Sequence, residues 1–241
     1  MSQALDNPTW TALTTLQADF AHIEGEARRF PPDVCIHGAM RDRTQENWDA
    51  LARISPEPVS LFSLQPLKLP PGWTATRCVE LYEMVQGDGD WLRESGRQQL
   101  GGLRIEALTS ADVPHMASLY AATRPGRAFS PRLYVLGGFL GIRRDGQLIA
   151  MGCLRLHFPG YREISTLATL PGQTGRGYAT AIVAELAQKI IDHGETPFLT
   201  VRTDNNRAID IYRRLGFRER TQLYSTTLRF DAAPLIRTEV Q

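Results

Sequence analysis

The chain has 241 residues, 42% of them apolar, which is enough for an ordinary packed core in one large domain or two small ones. Its formal charge of +1 argues against a general attraction to nucleic acid or to an anionic membrane. Cys35, Cys78 and Cys153 are odd in number and far apart, which argues against a disulfide framework or a Cys/His metal site and fits a reducing cytoplasm. The residues after Met1 lack the basic-then-apolar order of a secretory signal, and no run of about 18 apolar residues offers a membrane span.

Leu13, Leu16 and Phe20 predict a helix over 7–20, which Pro31 and Pro32 keep from continuing. Thr44 can cap a helix reaching residue 54, with Trp48, Leu51 and Ala52 inward. A strand is expected over 59–64 and one strand or two over 73–85, with a proline-rich loop at 67–72 between them. The polar stretch from Gln86 to Gly102 reads as a boundary near residue 96. It divides the chain into an N-terminal α/β domain, 1–96, and a second domain, 97–241. Beyond it come a strand over 103–108 and a helix with Val113, Met116, Leu119 and Tyr120 on its apolar face. Two strands, 138–143 and 147–157, flank the turn Arg144-Asp145-Gly146, and a third covers 162–170.

The segment Thr174-Gly175-Arg176-Gly177-Tyr178-Ala179 then joins that strand to a helix carrying Ile182, Val183, Leu186, Ala187 and Ile190 at spacings of three and four. The head of a helix exposes backbone N–H groups and partial positive charge, and glycines let an anion approach them, so a pyrophosphate suits this turn. An ordinary tight turn is the alternative. The segment is neither a P-loop nor the Gly-x-Gly-x-x-Gly dinucleotide fingerprint. A strand over 198–202 leads to a helix capped by Asp204 or Asn205 and ending at Leu215-Gly216, and a last strand covers 223–230.

This order, closing on Asn205-x-x-Ala208-x-x-x-Tyr212-x-x-Leu215-Gly216-Phe217, resembles the GNAT superfamily of N-acetyltransferases over residues 102–230. Arg-Gly-Tyr-Ala and Ile-Tyr-Arg-Arg-Leu-Gly-Phe are similar to the branch related to the C-terminal domain of glycine N-acyltransferases, and the N-terminal part resembles a divergent partner domain of some two-domain bacterial members. The resemblance implies a mixed, mostly antiparallel α/β sheet with flanking helices. Its two parallel strands splay into a V that receives acetyl-CoA as co-substrate. It also implies a small-molecule or peptide amine as acceptor, and it allows a homodimer. The family loop is Arg/Gln-x-x-Gly-x-Gly/Ala; Gly177 and Ala179 match it, and Thr174 departs from it. By the same resemblance Thr174, Gly175, Arg176, Gly177, Tyr178 and Ala179 would hold the diphosphate. Backbone groups of Leu167, Ala168 and Thr169 would hold the acetyl carbonyl and pantetheine, with Asn205 on the pantetheine arm and Arg207 near the nucleotide.

Acetyl transfer needs a neutral amine, donors for a tetrahedral oxyanion and a proton for the departing thiolate. Tyr212 matches the family's general acid, and a core tyrosine is the alternative. Glu163 matches the general base of the histone-modifying branch; a solvated charge at a strand end, with water as base, is the alternative. His157 could relay a proton, Arg124 and Arg127 could bind an acidic acceptor, and Cys153 reads as core. A longer acyl donor, or a non-catalytic module that senses acyl-CoA, remain the other readings.

Overall fold

A computed structural model describes residues 3–87, 100–127 and 129–231. The first helix, α1 (Pro8–Leu13), is much shorter than its apolar spacing predicts. Thr14 and Thr15 turn their hydroxyls back onto the carbonyls of Trp10 and Thr11, and only a 3-10 turn, Ala18–Phe20, follows. Three strands that sequence reasoning missed, β1 (His22–Glu24), β2 (Ala27–Arg29) and β3 (Gly38–Met40), form a small antiparallel sheet. Three residues each are too few to show a period of two. In α2 (Gln45–Ile54) the Thr44 hydroxyl accepts from the Asn47 N–H, as its capping sequence predicts. Trp48 and Leu51 from this helix share a small core with Met40, Val59, Leu61, Trp73 and Leu228.

The main sheet contains β4 (Val59–Ser63), β5 (Trp73–Gln86), β6 (Ile105–Leu108), β7 (Phe139–Arg144), β8 (Gln147–Phe158), β9 (Tyr161–Thr169), β10 (Thr196–Arg202) and β11 (Phe217–Phe230). Their order is β4-β11-β5-β10-β9-β8-β7-β6, and every pair is antiparallel except β9 with β10. This is the mixed, mostly antiparallel sheet that the resemblance implied.

The expected boundary near residue 96 lies outside the described residues, and the sheet does not divide around it. Both β4 and β5 pair with strands from the second half, β5 filling the slot between β10 and β11. Without β5, the facing ladder groups of those two strands would lack partners. The core is shared in the same way, since Leu5, Leu13, Phe30 and Phe62 belong to one cluster with Met116, Phe139, Phe158, Phe198 and Leu223.

Adjacent strand residues project to opposite faces. Phe139, Leu148 and Phe198 accordingly join the cluster with α1 and α3 (Val113–Thr123), while Leu140, Ile149 and Leu199 join the one with α4 (Tyr178–Asp192) and α5 (Asn206–Arg214). Strand β11 begins at Phe217, earlier than expected, because the polar run Arg218 to Thr221 masks its first turn of pairing. Arg220 sits at a register shift in β11, where its guanidinium reaches the fully buried Glu83 of β5 and, at 2.7 Å, Asp6.

Burial pushes the Glu83 carboxyl up to about 7, against the pull of Arg220. The folded chain therefore holds this proton more tightly than the unfolded chain, whose carboxyl lies near 4.5. The resulting stabilisation is present at acidic pH and is lost as pH rises from about 4.5 through about 7. In thermal unfolding against pH, wild type should lose stability relative to Glu83→Gln across that window. A flat difference would show that Arg220 keeps the carboxylate ionised throughout.

Candidate active site

Strands β9 and β10 pair from Tyr161↔Thr196 to Ile164↔Leu199 and then part. Residues 165–169 continue alongside β8, and residues 200–202 alongside β5. Just past the fork, Thr166 adopts φ 53°, a left-handed conformation that is unusual for a β-branched residue. The register jumps here, from Cys153↔Ser165 to Met151↔Ala168, so that Thr166 and Leu167 together face Gly152. A Cβ on Gly152 would lie 2.7 Å from the Leu167 side chain and 2.8 Å from Ile182, so only glycine lets the bulge pack down. Beyond the fork the Leu167 carbonyl, with no strand opposite, accepts from Arg124 Nη2 at 2.9 Å.

The fork opens into a cleft of about 800 Å³. Ser165, Thr166, Leu167, Leu199, Thr200, Asn205 and Tyr212 line it together with Cys35, His37, Ser60, Phe62, Arg124 and Arg155. A groove of about 140 Å³ shares Leu167, Asn205 and Tyr212 with it and adds Ala168, Thr169, Ala179 and Ala208. Six residues singled out in the sequence thus meet along one groove: Leu167, Ala168, Thr169, Ala179, Asn205 and Tyr212.

Helix α4 starts on Gly177, at φ 81° and with no side-chain cap. Gly175 is also left-handed, and a Cβ placed there would meet the Arg207 guanidinium at 3.5 Å. The helix head, the two glycines and Arg207 therefore form an open cationic cradle that fits a diphosphate. Thr174 and Arg176 are exposed on this turn. Tyr178 is buried instead, its hydroxyl accepting from Arg144 at 2.5 Å while Arg144 also donates to Gln173, so it braces the loop from behind. Asn205 caps α5, its Oδ1 accepting from the Ala208 N–H. That occupies the oxygen and leaves the side-chain NH₂ for a ligand.

Tyr212 is nearly buried and lines both the cleft and the groove. Burial pushes its phenol up to about 12, with the Arg124 cation pulling the other way, so it is protonated at neutral pH. Glu163 differs from expectation. It is fully buried, does not line the cleft, and receives hydrogen bonds from Arg155 Nε at 2.8 Å and Nη2 at 2.6 Å. With both oxygens held by a guanidinium, it positions Arg155 and has no free lone pair facing an amine.

Burial works against the Arg155 charge, but Glu163 outweighs it and holds the guanidinium firmly protonated. Arg155 Nη1 donates to His37 Nε2 at 2.8 Å. Burial, and then Arg155, push the His37 imidazole well below its ordinary range, so it is neutral at pH 7. Sequence reasoning missed Arg155 and His37, because nothing local marks either one. His157 pairs with Glu195 at 2.6 Å, away from the cleft lining, and burial pushes the Cys153 thiol up to about 12, which makes it a poor nucleophile.

This geometry has relatives. Residues 139–226 match the FR47-like protein family. A mycothiol acetyltransferase of Streptomyces avermitilis is 30% identical over 162 residues, 66% of this chain and 47% of that one. N-alpha-acetyltransferase RimI of Mycobacterium tuberculosis is 33% identical over 123 residues, 47% of this chain and 77% of that one. The chain belongs to the GNAT family of N-acetyltransferases. A solved GNAT-family protein from Novosphingobium aromaticivorans superposes with a TM-score of 0.83 at 29% identity, covering 95% of this chain and 99% of that one. The chain spans about half the length of the mycothiol acetyltransferases it matches. Among the described residues, no helix is long and apolar enough to cross a membrane.

Gly177→Glu should abolish CoA binding in calorimetry, because it puts bulk and negative charge in the cradle; unchanged affinity would remove the diphosphate from this helix head. Glu163→Gln should lower the unfolding free energy by about 3 kcal/mol, since it leaves a buried cation without its counter-charge. The same variant should keep the shape of the pH–rate profile, and loss of a limb of that profile would restore Glu163 as a base.

Proposed function

We propose that this protein transfers an acetyl group from acetyl-CoA directly to a primary amine of a small molecule or peptide, in the cytoplasm. The observation that carries this reading is the open fork after Ile164 and Leu199, with the protonated Tyr212 phenol in the same cleft. Acetyl as the transferred group also agrees with the names of the mycothiol acetyltransferase and RimI relatives.

In this reading the α4 head, with Gly175 and Arg207, holds the diphosphate. Backbone groups of residues 167–169 and the Asn205 amide align the pantetheine arm in the groove. A thioester so placed has its carbonyl at the fork, and the neutral amine approaches from the side of His37 and Arg155. The new C–N bond forms as the C–S bond breaks, and Tyr212 passes its proton to the leaving sulfur. Among the described residues Glu57 is the sole carboxylate lining the cleft, and it leans towards Arg29 at 3.6 Å. Water therefore takes the proton of the amine, and the acceptor reacts as its own free base.

Two outcomes test this. Tyr212→Phe should lower turnover about a hundredfold while leaving acetyl-CoA affinity nearly unchanged. Equal turnover would take Tyr212 out of the mechanism. In a thiol-release assay across amines, kcat/KM should rise with pH towards the pKa of each amine itself. Tight CoA binding with no thiol released for any amine would make the protein a sensor of acyl-CoA.

A further inference from the structure

We propose that the acceptor carries an oxyanion group, a carboxylate or a phosphate, close to its amine, and that the arginines of the cleft bind it. The proposal rests on the acetyl-transfer reading and names its substrate class. Among the described residues the cleft is lined by Arg77, Arg124, Arg127, Arg155 and Arg202 against the single carboxylate of Glu57. Arg155 and Arg202 already have carboxylates of their own, Glu163 and Asp204. Arg77, Arg124 and Arg127 have no acidic partner among the described residues.

Arg124 is the most informative of the three. Its Nη2 is fixed on the Leu167 carbonyl, and its guanidinium lies 4.9 Å from the centre of the Tyr120 ring. Its Nη1 is buried with no hydrogen-bond partner. A buried cationic donor left open is costly, and an arriving oxyanion relieves that cost. The Leu167 carbonyl that Nη2 holds lies just beyond the fork, so an anion bound to this guanidinium sits beside it. These arginines are not needed for the co-substrate diphosphate. That group has the Gly175–Arg207 cradle, and neither Arg77 nor Arg124 lines the pantetheine groove.

The test uses matched pairs: glycine with glycinamide, aspartate with its diamide, and phosphoethanolamine with ethanolamine. Each is assayed for thiol release with acetyl-CoA, and each is titrated by calorimetry into the CoA-bound protein. An anionic member should exceed its neutral twin by about tenfold or more in kcat/KM and in affinity. The carboxylate and phosphate arms show which oxyanion is taken. Arg124→Ala should bring the ratio towards one, chiefly through KM, and Arg124→Lys should recover part of it. Arg77→Ala, at the cleft edge, should also narrow the ratio, and it keeps the test open if Arg124→Ala does not fold.

Neutral twins that bind and react as well as the anions would overturn the proposal. So would an Arg124→Ala loss in kcat that is equal for charged and neutral amines, which would place Nη1 on the transition state. Preferential binding of anions without thiol release would leave the anion site standing and remove the acetyl-transfer reading. Release without preference would do the reverse, and absence of both would remove both.

Discussion

Everything in this site depends on two parallel strands parting after four paired residues. A strand that leaves its neighbour exposes amides and carbonyls, and each must find another partner or face a ligand. On one arm β8 continues the ladder with β9, a bulge turns the chain, and Arg124 covers the Leu167 carbonyl. On the other arm β5 continues the ladder with β10. Holding Thr166 in a left-handed conformation costs about 1–3 kcal/mol, and a site that must stay open is where such strain belongs.

The N-terminal third takes part in this opening. The Gln17 side chain donates to the Arg155 carbonyl and accepts from the His157 N–H, meeting backbone groups of β8 where its register with β9 shifts. His37 stacks on Phe62 and accepts a hydrogen bond from Arg155 of β8. The chain Glu163–Arg155–His37 thereby joins the floor of the sheet to its N-terminal cover. A buried ion pair is weak evidence of net stabilisation. Its clear effect here is geometric, since it fixes a charged fork in the cleft wall.

Features written in local spacing were legible in the sequence. The α4 helix, its glycine turn and a cap at Asp204 or Asn205 follow from periodicity and punctuation within about forty residues, and the resemblance singles out Tyr212. Features set by distant partners were not. The carboxylate of Glu163 gives no sign in sequence that Arg155, across the hairpin, will hold both its oxygens. The bulge at Thr166 carries no glycine of its own; its trace is Gly152, on the opposite strand. The shared sheet was hidden for the same reason, because the polar stretch after Gln86 conceals that the strand before it lies between two strands from the other end of the chain.

That placement of β5 bears on how the molecule assembles. Its ladder with β11 runs the length of both strands, and Thr74 meets Asp231 across 157 positions of chain. Contacts this remote are slow to form, because a long loop must close before any pairing rewards it. During synthesis β5 emerges well before either of its neighbours, with both edges bare. A nascent chain of this protein must therefore keep an unpaired fourteen-residue strand from aggregating until β11 has left the ribosome.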